Sequence, residues 1–178
     1  NSLDYDVHKV LRHKLQALDK KDVFPFFMNP YLPVVIFIGR LTGVKKIYLL
    51  LQAVNQINDK QTNVNLLIVG DGTYKNNLEE QGRAGIQNGW LYFAGPCYDE
   101  EENGRYLSMS DLCVSPGNAG LTAIHSLSFG TPVCTHDNMY HQMPESEAIQ
   151  AGHNGFFFKE DDAKDLKVKI ENWLNLMD

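Results

Sequence analysis

The sequence predicts an α/β fold: a parallel sheet of about six strands flanked by helices on both faces. Three observations carry that prediction. Short β-branched runs alternate with segments of helical periodicity along the whole chain. The links between them are short, which fits strands joined by helical crossovers. Glycine marks the ends of the strand-like runs at Gly39, Gly70, Gly95 and Gly117. Sheets of this class bind their ligands beyond those carboxyl ends, where the strand order reverses.

The elements follow in order. Apolar residues at Val7, Val10, Leu11, Leu15 and Leu18 give residues 7–18 a helical spacing. Residues 22–32, with Pro25, Pro30 and several Phe, form an irregular connector. The run 34–39, β-branched and closed by Gly39, has the pattern of a strand buried on both faces. A helix is predicted over 45–58, with Ile47, Leu50, Leu51 and Val54 on one side. Strands at 64–70, 90–95, 112–114, 132–134 and 155–158 alternate with helices at 74–82, 100–109, 121–129 and 146–151. A final helix spans 161–177, with Leu166, Ile170, Trp173 and Leu174 among its apolar positions.

Composition narrows the function. At 178 residues the chain can bury one domain-sized core. A net charge of −6 without a long basic run argues against nucleic acid as partner, so any phosphate must be held by a local site. No apolar run reaches the roughly 18 residues of a membrane-spanning helix, and residues 1–6 lack the layout of a signal peptide. Cys97, Cys113 and Cys134 are widely spaced and odd in number, which fits reduced thiols and a cytoplasmic location.

The stretch 115–133 carries the chemistry. An apolar run leads into the turn Pro116-Gly117-Asn118-Ala119-Gly120, the turn opens a helix at Leu121, and Gly130 ends it. Strand, glycine turn and helix N-terminus form an anion site, because unpaired N–H groups converge there and the helix dipole favours negative charge. Glycine turns that bind nothing are equally common. Arg40 and Lys45, after the first strand, are candidates to converge on a phosphate, the guanidinium bidentately and the ammonium as a point charge. Gly70-Asp71-Gly72 lacks the third glycine of a dinucleotide fingerprint and is treated as a tight turn. The histidines and cysteines have no metal-site spacing, so no metal is expected. Gly-x-Ser-x-Gly does not occur, which leaves a hydrolase elbow without support.

Taken together, Gly39-Arg40-Leu41 with Lys45, Val69-Gly70-Asp71-Gly72, Phe93-Ala94-Gly95, Ser110-Asp111-Leu112, Gly120-Leu121, Gly130-Thr131-Pro132-Val133, Pro144-Glu145 and the glycines at 152 and 155 occur in the order seen in family 4 glycosyltransferases. The chain resembles the C-terminal, donor-binding half of those GT-B enzymes, over about residues 34–158. The resemblance implies a Rossmann-like domain spanning 1–178 that binds a nucleotide sugar, foremost a UDP- or GDP-sugar. It implies transfer of a hexose with retention, without a metal or other cofactor, to an acceptor glycan or lipid-linked sugar.

The resemblance also assigns residues. Arg40 and Lys45 neutralise the leaving diphosphate. Gly39, Gly117, Asn118 and the N–H groups of Gly120, Leu121 and Thr122 surround it, and Gly95 and Pro96 contact the base. Two departures stand out. Counting back from Gly130, the acidic pair of the family falls on Gly117 and His125; His125 is still able to hydrogen-bond ribose through its ring nitrogens. The loop 137–143 is longer and richer in side chains than the family's Gly-Gly version, so Asn138, His141 or Gln142 is expected to contact the donor sugar.

The acceptor domain of a GT-B enzyme has no counterpart in the sequence, so the isolated chain is expected to bind donor but transfer nothing alone. The full-length enzyme is expected in surface-polysaccharide assembly, at the cytoplasmic face of the membrane as a peripheral protein. Half of a sugar-nucleotide epimerase, which needs acid–base residues in the cleft, and a non-catalytic nucleotide-binding module are the alternatives.

Overall fold

The computed structural model describes residues 18–175. Strands β1 (Val34–Ile38), β2 (Asn65–Val69), β3 (Leu91–Gly95), β4 (Leu112–Ser115), β5 (Val133–His136) and β6 (Gly155–Phe158) form one sheet in the order β3-β2-β1-β4-β5-β6. Every pair is parallel. The chain builds outward from β1 to β3, then returns to lay β4 against the other side of β1. That reversal makes the carboxyl ends of β1 and β4 the place for a ligand.

Alternation along the strands explains the layers. Val35 and Phe37 of β1 point into a cluster with Leu50 and Val54 of the helix Ile47–Ile57 and Leu166 and Ile170 of the helix Ala163–Asn175. Val34 and Ile36 point the other way, into a cluster with Leu107 of the helix Glu100–Met109 and Ala123 of the helix Leu121–Ser128. Both faces of the strand are therefore dry, as its unbroken apolar run requires. Each fully buried large aliphatic side chain contributes roughly 1.5–3 kcal/mol. Asp111 fixes the reversal: its Oδ2 accepts from the Val34 N–H at 2.7 Å and from Lys20 Nζ at 2.7 Å.

Several boundaries differ from the sequence expectation, each for a physical reason. The helix expected over 45–58 is a 3₁₀ turn, Gly43–Lys45, followed by a helix that starts at Ile47. Lys46 breaks it with a left-handed backbone, φ 49°, while its ammonium pairs with Glu160 at 3.0 Å and Asp161 at 2.7 Å. A short helix, Arg83–Gln87, was not expected; Gly85 lets it pack on the Trp90 ring, since a Cβ there would come within 2.6 Å of the indole. The connector over 22–32 is preceded by one helical turn, Lys20–Val23, and buries Phe24 and Phe27.

β5 runs past Cys134 to His136 because its polar residues find partners: the Thr135 hydroxyl donates to Ser115 O at 2.8 Å, and His136 Nδ1 accepts from the Asn138 N–H at 3.3 Å. The segment expected as a helix over 146–151 is a 3₁₀ turn, Pro144–Ala148. Cys113 and Cys134 are fully buried free thiols. The helix expected over 7–18 lies, apart from Leu18, outside the described residues.

Candidate donor site at the strand reversal

A cleft of about 590 Å³ opens at the carboxyl ends of the strands. Its walls are the ends of β1 (Gly39, Arg40) and β2 (Gly70, Asp71), the loop after β3 (Pro96, Cys97, Tyr98), Asn103, and Leu121, Thr122 and His125 of the helix 121–128. The sheet hydrogen bonds continue into its floor: Gly39 N–H donates to Val69 O at 3.0 Å and Gly70 N–H to Gly95 O at 2.8 Å. The backbones of the β1 and β2 ends lie so close that a Cβ on Gly70, whose φ is +143°, would sit 1.8 Å from Gly39 O.

Arg40 is exposed on the rim, and its guanidinium has no hydrogen-bond or ion-pair partner among the described residues. Lys45 is different. It is partly buried, and its Nζ donates to Asn118 Oδ1 at 2.7 Å and Asn118 O at 3.0 Å. Both acceptors are neutral, so nothing compensates the charge, and burial pushes its pKa below the ordinary 10.5. An uncompensated ammonium braced against a glycine turn is a prepared position for an anion.

The turn itself is built on backbone contact. Gly117 N–H donates to Lys45 O at 3.0 Å, and a Cβ on Gly117 would stand 2.2 Å from Val44 O. Glycine at 117 is thus a packing requirement: any side chain, acidic or not, would displace the segment carrying Lys45. Past the turn, the helix Leu121–Ser128 begins at Gly120 with no side-chain cap, so its N-terminal amides are left for a ligand. Thr122 anchors this end to β1, its hydroxyl donating to Ile38 O at 3.3 Å.

Of the residues singled out from the sequence, Gly39, Arg40, Pro96, Leu121, Thr122 and His125 come together on the cleft wall. Gly95 ends β3 beside Pro96. Lys45, Gly117, Asn118 and Gly120 form the adjoining turn. His125 Nε2 lies 2.7 Å from Glu100 Oε1, and its ring packs edge-on against Phe129. That pairing puts a carboxylate next to the histidine, from a helix the sequence reading left out of the site.

The loop 137–143 does not reach toward the cleft as expected. Gln142 is spent on the scaffold: its Oε1 accepts from the Ala119 N–H at 2.9 Å, while its Nε2 donates to Thr135 Oγ1 at 2.8 Å and His136 O at 3.0 Å. Asn138 Nδ2 donates to Glu160 Oε2 at 2.6 Å, and His141 Nδ1 lies 2.9 Å from Glu160 Oε1. These side chains clamp the loop onto Glu160 and brace the glycine turn.

The clamp is acid-sensitive. Hydrogen bonds from His141, Asn138 and Lys46 lower the Glu160 pKa from 4.5 to about 2. Burial also lowers that of His136 below 6.5. A depressed carboxylate stabilises the fold above its unfolded pKa, and that contribution is lost as pH falls from about 4.5 toward 2. The depressed histidine works in the same direction, opposing the fold as pH drops below 6.5. Hydrogen exchange of residues 137–143 is expected to speed up in these two steps on acidification, and Glu160→Gln to abolish the lower one. A single step unaffected by the substitution would refute the clamp.

Asn103, Glu100, Cys97 and Tyr98 are site residues that sequence reasoning missed. Residues 100–102 are all glutamate, which reads as a solvated helix start, and nothing in the spacing shows that Asn103 turns inward.

A model of the family described as glycosyl transferases group 1 matches residues 20–177. The chain is 31% identical over 154 residues to the sulfoquinovosyl transferase SQD2 of Arabidopsis thaliana, covering 83% of this chain and 28% of that protein. It is 30% identical over 109 residues to the alpha-monoglucosyldiacylglycerol synthase of Streptococcus pneumoniae, covering 60% of this chain and 24% of the relative. Among solved structures, Anabaena HepE in complex with UDP superposes with a TM-score of 0.75 at 20% identity, over 99% of this chain and 47% of that one. The chain thus spans well under half the length of these curated relatives.

Proposed function

Because the chain belongs to the glycosyl transferases group 1 family, we propose that it is the donor-binding, C-terminal domain of a retaining family 4 enzyme of GT-B type. Its ligand is a nucleoside diphosphate sugar, foremost a UDP-sugar, as the UDP and UDP-glucose complexes of its structural neighbour HepE support. The observation that carries the reading is the convergence, at the strand reversal, of an unpartnered Arg40, a charge-uncompensated Lys45 and an uncapped helix N-terminus.

The chemistry follows from where charge develops. Transfer breaks the bond between the anomeric carbon and the diphosphate oxygen, and negative charge grows on the departing nucleoside diphosphate. Arg40, Lys45 and the amides of Gly120, Leu121 and Thr122 are fixed before the reaction and face that charge. They stabilise the transition state more than the ground state, which is what accelerates the step. His125, oriented by Glu100, takes the ribose.

An acceptor-binding domain closes over this face in the complete enzyme. In support, Val44, Tyr98, Leu121, Met139, Tyr140 and Met143 are all exposed on loops at the carboxyl ends of the strands, and an apolar rim of this kind marks an interaction surface. The isolated chain then binds donor without transferring it.

Calorimetric titration of this chain with UDP, GDP and ADP tests the reading. At least one is expected to bind with one-to-one stoichiometry, and Arg40→Ala to weaken it roughly 10- to 100-fold, the value of a charge-assisted hydrogen bond. Absence of binding by all three overturns the proposal.

A further inference from the structure

Asn103 sits on the inward face of the helix Glu100–Met109, four residues before the fully buried Leu107, and is itself only 7% exposed. An apolar residue would be the ordinary choice there. Its amide is oriented, because Nδ2 donates to Cys97 O at 3.2 Å in the loop after β3. The Oδ1 atom is buried and has no partner among the described residues. Asn103 nevertheless lines the cleft, alongside Pro96, Cys97 and the 94% exposed Tyr98. A buried carbonyl without a donor destabilises the free protein, and an apolar side chain of similar volume would avoid that. The unpartnered acceptor is explained if a ligand brings the donor.

We propose that Asn103 is a specificity-determining residue whose side-chain carbonyl accepts an N–H from the edge of the nucleobase. The inference rests on the nucleoside diphosphate reading above and deepens it. The phosphate end of the cleft is held by Arg40 and by main-chain amides, neither of which distinguishes one base from another. The loop after β3 lies on the other side of the cleft, where a diphosphate anchored at the helix 121–128 would deliver its nucleoside. Pro96 offers no N–H there, so the base is read by Asn103 while Tyr98 supplies an aromatic face beside it. A base lacking a donor at the matching position leaves the carbonyl unpaired, the situation in which a hydrogen-bonding site discriminates strongly.

Titration of UDP, GDP and ADP, with inorganic pyrophosphate as a base-free probe, into the wild type, Asn103→Leu and Asn103→Ala tests this. The base bound tightest by the wild type is expected to lose about tenfold in affinity in both variants. The ranking of the three nucleotides should flatten while pyrophosphate affinity stays the same. Unchanged affinities and ranking in either folded variant overturn the inference and leave the donor-site reading standing. An equal loss for all four probes assigns Asn103 to the scaffold and overturns it as well. If the wild type binds no nucleotide, both readings fall.

Discussion

Alanine in place of Gly70 is expected to destabilise the fold by about 3 kcal/mol or more, combining steric overlap with an unfavourable backbone. The residue has φ +143°, and a Cβ would overlap Gly39 O at 1.8 Å. Neither strand end is free to retreat: Gly70 N–H bonds to Gly95 O, Gly39 N–H to Val69 O, and Leu41 N–H to Asp71 O at 2.9 Å. For a chain of this size the change corresponds to a fall of about 6–12 °C in Tm. Gly95→Ala is the control, because its φ is +76° and a Cβ there meets nothing within 4 Å. It carries backbone strain alone, roughly 1–2 kcal/mol. Thermal melts of the two variants should separate by several degrees, and coincident melts would show that the strand ends yield more easily than their hydrogen bonding implies.

Lys45→Met is expected to weaken nucleoside diphosphate binding by about 10- to 100-fold, the loss of a charged hydrogen bond of roughly 1.5–3 kcal/mol, with little change in Tm. The asymmetry follows from its surroundings. In the free protein the ammonium has only the two oxygens of Asn118 as partners, and burial disfavours its charged form. Removing it forfeits two hydrogen bonds but relieves an uncompensated charge, so the effects on stability oppose each other.

The lowered pKa adds a signature in pH. Binding of a diphosphate needs the charged form, so wild-type affinity should decline on the alkaline side before pH reaches the ordinary lysine value of 10.5. The Met variant should lack that decline. A variant that melts far below the wild type but binds as tightly would make Lys45 a structural prop for the turn.

The fold was legible because its signals are local. β1 announces itself through five consecutive apolar residues, and the strand is buried on both faces for the reason that run implies. The helix Glu100–Met109 matches its expected span because Asp99 caps it, its side chain accepting from the Glu102 N–H at 3.0 Å. What failed depends on distant partners. Lys46 interrupts a helix-like pattern through ion pairs with Glu160 and Asp161, far away in sequence.

The same division runs through the site. Glycine turns and cations after strands were visible as types and positions. Side-chain allegiance was not: Gln142 looked like a sugar contact and braces Ala119. Gly117 looked like a lost acid and is a point of backbone contact with Val44 and Lys45. Asn103 and Glu100 were hidden because their helix carries few apolar positions to reveal which side faces inward.

The return of β4 to β1 has a kinetic consequence. The bond from Lys45 to Asn118 joins residues 73 apart, and that from Val34 to Asp111 residues 77 apart. The first three strands with their crossovers pair through neighbours in sequence, whereas the donor cleft exists only after the longer loop has closed. Closing a loop of that length costs entropy before any contact across it is gained, and non-local pairing of this kind is slow. A nucleotide spanning the seam between β1 and β4 has no affinity for a chain folded only as far as β3. It therefore stabilises the last join to form, by mass action on the closed state alone.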